Sequence, residues 1–379
     1  MRCFRVSVHL CLLLGTVGGV QALAAPARED FSAVAHDVAP FVGATVFDAA
    51  DQSFSQPLGV SAGGLGARVE IAERQPCSSH GLLEREGLAT PVRSGELCKV
   101  AILVASTPGH PDFRQGIASL GTEGKGALSE LTLSFYYLEP GYKWPQFILS
   151  GFTGGASCCL VSAIVGVGDA GQWYAVQLPE QNGFGPLSVV DIAHDGGRQF
   201  IFPDKRFDAV FASHDGSVMP DVIYEYAQGK LNIITAQPRF RPYMALSVRA
   251  MPGEEDVPAP GSREVNGYLA GYVATSALAG QVQAGWRYML ARYNPQSPYL
   301  AKWCALDRSV WSGKGQKECP APYVRTVPYP QQLALFLLQT GYITHAQCVA
   351  LGYDPEKIRH ERDTIRAAAI VHWHATHSG

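Results

Sequence analysis

Residues Asp191 to Thr235 read DIAHDGGRQFIFPDKRFDAVFASHDGSVMPDVIYEYAQGKLNIIT. Short apolar runs at 199–202, 206–212, 221–226 and 231–235 alternate with Asp-Gly and Gln-Gly pairs. Alternation with period two, punctuated by residues that accept positive φ, predicts antiparallel strands joined by tight turns. The stretch also repeats itself: AHDGG at 193–197 is echoed by SHDGS at 213–217.

The same texture extends towards the N-terminus. Residues 68–73, 97–105, 130–138, 145–150, 158–167, 172–178 and 187–192 each read as a strand, and turn residues separate them. Residues 251–262 (MPGEEDVPAPGS) break the pattern with Pro, Gly and acids and have almost nothing to bury, which is linker chemistry. Beyond them the apolar period changes to that of a helix. Val265, Tyr268, Leu269, Tyr272, Val273, Val282, Trp286 and Met289 fit one helix running to Asn294-Pro295, and further helices are expected at 331–340 and 355–373. The expected fold class is α+β: a β-rich N-terminal domain, meander or propeller-like, over 25–250, a linker over 251–262, and a small helical domain over 263–379.

Residues 1–24 read as a signal peptide. Arg2 and Arg5 precede an apolar run that ends in the small-x-small site Ala22-Leu23-Ala24. The expected mature protein is therefore exported, periplasmic or secreted. The formal charge of −3 carries no basic stripe, which argues against nucleic acid as a partner. Residues 265–286 are free of formal charge and contain Gly267-x-x-x-Gly271, but Gly, Ala, Ser and Thr dominate, so a packed helix is expected and no membrane span in the mature chain. Export places the cysteines in an oxidising compartment. The local pairs are Cys77 with Cys98 and Cys304 with Cys319, leaving Cys158, Cys159 and Cys348. Closing a loop of about 15 residues is worth roughly 3 kcal/mol.

Asp191-Ile-Ala-His-Asp195-Gly196 carries acids at relative positions one and five and glycine at six. This resembles the Asp-x-Asp-x-Asp-Gly turn of FG-GAP and VCBS-type β repeats, and the resemblance implies propeller-like blades with calcium held by the turn. Calcium takes six to eight oxygen ligands, and the glycine permits the sharp bend. Asp191 and Asp195 are the candidate ligands. Ala193 stands where the family places a third acid, and the copy at 213–216 keeps only Asp215. The alternative is a pair of turns that only reverse the chain, or a transition-metal site if His194-Asp195 and His214-Asp215 are neighbours.

Other motifs lead less far. Gly59-Val-Ser61-Ala-Gly63 matches a nucleophile elbow in letters, but lacks the strand before and the helix after that expose such a serine. Cys158-Cys159 could form a vicinal disulfide or pair apart. His345 with Cys348, and His372, His374 and His377, lack any third group to orient them. With no convergent nucleophile and base, the expected function is a non-enzymatic binding or interaction module acting on a periplasmic protein or cell-envelope ligand through aromatic surfaces. The alternative is a cell-envelope hydrolase using carboxylates of the β-rich half, with Asp191, Asp195 and Asp204 as candidates.

Overall fold

The computed structural model describes residues 35–40, 42–48, 59–76, 97–117, 130–139, 141–152, 160–181, 187–253, 257–311 and 317–377. Three large antiparallel sheets are stacked and backed by helices, an α+β architecture. Sheet I has the order β3 (Gly59–Ala62), β4 (Leu65–Pro76), β5 (Leu97–Ser106) and β6 (Phe113–Gly116). Sheet II is ordered β10 (Trp173–Gln177), β9 (Leu160–Val167), β8 (Gln146–Phe152), β7 (Glu130–Tyr136) and β2 (Val42–Asp48). Sheet III is ordered β1 (Ala35–Val38), β11 (Val189–Ile192), β12 (Gln199–Pro203), β13 (Asp221–Ala227) and β14 (Lys230–Ile233).

Sheet II is the middle layer. Leu131, Leu133, Phe135, Phe147, Leu149 and Val165 face Leu65, Val69, Leu103 and Ile117 of sheet I. Its other face sets Tyr136, Ile148, Leu160 and Ile164 against Val189, Phe200, Phe202 and Tyr226 of sheet III. Burial on both faces explains why β8 and β9 read as dense apolar runs while outer strands alternate. The polar residues that do fall inside pair with each other: the Ser162 hydroxyl donates to Ser150 Oγ at 2.9 Å.

The far face of sheet III carries α1 (Arg241–Ala250), whose Tyr243 and Met244, with Phe240 just before it, pack on Ile192 and Ile223. This helix lies in the segment expected to be β-rich. Pro242 in its first turn was the available signal. The expected single helix over 265–293 is two, α2 (Val265–Leu278) and α3 (Val282–Leu290), broken where Gly280 adopts φ 77°. Residues 251–253 form a 3-10 turn that extends α1, residues 254–256 lie outside the described residues, and Val257 packs on the helical core.

α2 is buried on nearly every side, which accounts for its lack of charge. No helix among the described residues is long and apolar enough to cross a membrane. Gly267 and Gly271 serve instead for close packing: a Cβ at either position would collide with the backbone carbonyl of Gly216 or of Val218. The helical core is completed by α5 (Tyr329–Thr340) and α6 (His345–Ala350). The short α4 (Arg308–Trp311) and the ribbon β15 (Lys302–Cys304) with β16 (Val324–Thr326) form a separate cluster under α7 (Pro355–His377). There Trp311 and Tyr323 meet Ala369 and Trp373, and Cys304 is disulfide-bonded to Cys319.

The run at 206–212, expected to be a strand, is a 3-10 turn and loop. Asp204 accepts the backbone N–H of Arg206, and Ala209 takes φ 54°, so the chain leaves the sheet. Phe207 and Phe211 then both enter the helical core, edge-on to Phe336 with ring centroids 4.9 and 5.1 Å away. Pairing resumes with Pro203 opposite Asp221, so residues 204–220 are one long excursion of the β12–β13 hairpin laid across α2.

Candidate binding face at the loop ends of the sheets

The repeated His-Asp-Gly words are held apart by topology. AHDGG connects β11 to β12, SHDGS lies between β12 and β13, and so they leave opposite ends of β12. Each word is engaged locally instead, His194 with His36 and His214 with Asp208.

Asp191 is buried, at 4% exposed, and its two oxygens accept the N–H groups of Asp195 (3.1 Å) and Gly196 (2.9 Å). These bonds stabilise a turn in which Ala193 and His194 both adopt positive φ, 73° and 53°. His194 Nδ1 lies 2.9 Å from Nδ1 of His36, the residue opposite Asp191 in the β1–β11 register. Asp195 accepts Gly197 N–H and, on its other oxygen, Arg239 Nη1 at 2.6 Å. Burial raises the Asp195 pKa, but the Arg239 guanidinium outweighs it and the carboxyl lies below its ordinary value. Among the described residues no three His, Cys, Asp or Glu side chains gather to hold a metal ion.

Asp204 is similarly engaged. Arg206 Nε and Nη2 donate to it at 2.8 and 2.6 Å, and the Tyr342 hydroxyl at 2.8 Å. His214 Nδ1 is 2.7 Å from Asp208 Oδ1, and Glu264 accepts the backbone N–H and hydroxyl of Ser213. Ser61 sits in the β3–β4 hairpin opposite Gly66, not on a strand–helix elbow. The Cys348 thiol is buried, donates to the Tyr353 carbonyl at 2.9 Å, and is pushed up by burial. His372 Nδ1 meets the Tyr323 hydroxyl at 2.7 Å. Cys77, Cys158 and Cys159 lie outside the described residues, as does the segment 1–24.

A different region gathers residues suited to recognition. The turn at 63–64 and the loop at 107–112 of sheet I, residues 137–139 and 141–145 and the turn at 168–172 of sheet II, and the Gln228-Gly229 turn of sheet III lie at one end of the stack. Side chains and backbone link them. The Thr107 hydroxyl donates to the Gly64 carbonyl at 3.3 Å, and Trp173 Nε1 to the Pro111 carbonyl at 2.9 Å. Gln228 N–H donates to Glu139 Oε2 at 3.0 Å. Phe113 and Trp173 pack with centroids 5.7 Å apart, and Lys143 lies 4.4 Å over the Trp144 ring.

This end presents Tyr137, 46% exposed, beside half-buried Tyr142, Trp144 and Trp173. Aromatic rings on short loops anchored by a rigid sheet supply contact area with little conformational freedom to lose. No motif marks the region. The signal available in the sequence was the density of aromatics around a Gly turn in 136–145, YYLEPGYKWP.

Comparisons with known proteins bear on the helical part and on the chain's relatives. Residues 245–341 match the family model of the sll0997 C-terminal domain. A probable thylakoid lumen protein, sll0997 of Synechocystis, is 30% identical over 203 residues, which cover 53% of this chain and 57% of that protein. The uncharacterized protein y4bJ of Sinorhizobium fredii is 26% identical over 224 residues, 59% of this chain and 34% of that protein. The chain thus spans little more than half of the first relative and about a third of the second. No solved structure matches it.

Proposed function

We propose that this protein is an exported, non-enzymatic binding module of the periplasm that recognises a cell-envelope ligand through the aromatic loop end of its three sheets. The observation that carries the reading is the convergence of loops from all three sheets on Tyr137, Tyr142, Trp144 and Trp173. The acids of a hydrolase offer less support, because Asp191, Asp195 and Asp204 are each taken up by backbone N–H groups or an arginine. Export is supported by the leader-like residues 1–24, by the Cys304–Cys319 disulfide, and by the thylakoid-lumen name of a relative.

The division into a β-rich unit to residue 250 and a helical unit from 263 belongs to the same reading, with Phe207 and Phe211 tying the two together. The likeness to FG-GAP or VCBS repeats rests on the Asp191 turn alone, since the sheets stack in layers where that likeness implied propeller-like blades, and the family match lies in the helical part. In this reading Asp191 and Asp195 shape a turn and need no cation. Saturating calcium then leaves the melting temperature unchanged in the parent and in Asp195→Ala alike. A calcium-dependent rise in the parent that Asp195→Ala abolishes would restore the calcium turn.

Retention of the purified protein on a cell-envelope fraction tests the binding face. Truncating two anchoring aromatics costs about 1–2 kcal/mol each, so Tyr137→Ala/Trp173→Ala is expected to bind at least roughly tenfold more weakly. Asp191→Asn and Asp204→Asn are expected to bind like the parent. Undiminished retention of the double variant, or envelope hydrolysis lost in Asp204→Asn, would favour the hydrolase.

A further inference from the structure

The ribbon β15–β16 and α7 bring three arginines beside one indole. Arg362 and Arg366, one turn apart on α7, both lie over Trp303, their guanidinium carbons 5.5 and 5.8 Å from the ring centroid. Arg325 stands directly opposite Trp303 in the ribbon register, so its side chain leaves from the same face. Among the described residues none of the three ion-pairs with a carboxylate, although Arg359 of the same helix meets Glu356 at 2.8 Å. Glu361 and Asp363, beside Arg362 in the chain, are exposed and pair with none of them. Asp307 feels the Arg366 charge, but its carboxyl is held below the ordinary value first by Ser309, whose N–H and hydroxyl donate to Oδ1 at 3.0 and 2.7 Å. Arg325 Nη1 donates to the carbonyls of Pro322 and Val324, which fix the guanidinium without neutralising it.

Like charges one helical turn apart repel, so the pair on α7 gains from a counter-charge. The indole is a fixed platform for it. Trp303 is half-buried and packs on the cluster of Trp311, Tyr323 and Trp373, next to the Cys304–Cys319 disulfide. A guanidinium held against an aromatic ring keeps its in-plane N–H donors for other partners. Arg362 is half-buried and Arg366 and Arg325 are exposed, so these donors meet solvent directly. A cation is repelled here. A carboxylate brings one charge and two oxygens, enough for a single guanidinium fork. A phosphate group brings up to two charges and three strong acceptor oxygens, enough to bridge two forks.

We propose that Arg362 and Arg366, held on Trp303 and flanked by Arg325, form a binding site for a phosphate group. The site belongs to the helical part and does not depend on the aromatic loop end. Such a group comes free in solution or on a lipid headgroup, and the two forks recognise the same oxygens in either case.

The test titrates the mature protein with inorganic phosphate, following the Trp303 indole N–H by NMR, with acetate and chloride at matched ionic strength as comparisons. Saturable shifts are expected with phosphate, binding at least roughly tenfold weaker with acetate, and no saturation with chloride. Arg362→Gln/Arg366→Gln is expected to weaken phosphate at least roughly tenfold. Arg362→Lys/Arg366→Lys keeps the charge but not the fork, and is expected to weaken it roughly threefold. Tyr137→Ala/Trp173→Ala is expected to bind phosphate like the parent. A second arm sediments the protein with phosphatidylcholine vesicles, with and without phosphatidic acid. Retention that needs phosphatidic acid and is lost in the Gln variant, without saturation by free phosphate, places the phosphate on a lipid headgroup. Binding in neither arm, acetate equal to phosphate, or undiminished binding in the Gln variant would each overturn the site. If the Gln variant unfolds, seen as displaced Trp311 and Trp373 indole signals, the Lys variant decides, and parental affinity there would overturn the site as well.

Discussion

Gly267→Ala is expected to lower the melting temperature by roughly 5 °C, although alanine is the better helix former by about 1 kcal/mol. The new methyl group would collide with the Gly216 carbonyl and the Ala212 side chain. The obstacle is mostly backbone, which cannot rotate aside as a flexible side chain would. Overpacking of this kind costs about 1–3 kcal/mol or more. Gly271→Ala meets the Val218 carbonyl in the same way, and the double variant is expected to fall by about 10 °C, less than additively if the excursion lifts as a unit. Calorimetry decides the point. A melting temperature unchanged or raised in both single variants would mean that residues 212–218 do not lie on α2.

Asp204→Ala is the second large effect, expected to cost about 2–3 kcal/mol at neutral pH. Asp204 is 6% exposed and accepts hydrogen bonds from Arg206 and Tyr342, while Arg206 Nη1 reaches the Thr340 carbonyl at 3.0 Å. Its loss therefore unties the β12–β13 excursion from the end of α5. The figure stays below that of a fully buried pair because Arg206 is half exposed and regains water.

The same contacts set a pH dependence. Burial raises the Asp204 pKa, but hydrogen bonds from Arg206 and Tyr342 outweigh it, and the carboxyl lies below its ordinary value. A folded-state value below the unfolded one, about 3.9, means that this stabilisation is fully present above about pH 4 and is lost as pH falls through the folded value. Urea midpoints for the parent are expected to drop more steeply than those of Asp204→Ala below about pH 4. Parallel profiles for the two would remove Asp204 as the acid-sensitive group.

Much of the architecture was legible because it rests on local periodicity. The alternating and dense apolar runs before residue 235 and the helical period after 265 define the α+β class, and most of the strands lie where those runs are. What escaped depends on distant partners. The run 206–212 has strand-like alternation, yet Phe207 and Phe211 find Phe336, more than a hundred residues away, and the loop follows them. Stacking of three sheets is likewise a matter of which faces meet, and β8 and β9 hint at it only through burial on both sides.

The site followed the same logic. The two His-Asp-Gly words drew attention through repetition, but repetition along a meander says nothing of proximity, and β12 holds them apart. Tyr137, Trp144 and Trp173 share no motif. They come together because the loops of sheets I and II end on the same side, which only pairing and packing reveal.

In the proposed reading, ligands meet this protein at the loop end and not at the Asp191 turn or the Asp204 excursion. Hydrogen–deuterium exchange of the mature protein, with and without a solubilised cell-envelope fraction, measures this directly. Slowed exchange is expected at 137–145, 168–172 and 228–229, with 191–198 and 204–220 unchanged. Protection confined to 191–198 or 204–220, or none anywhere, would contradict the account.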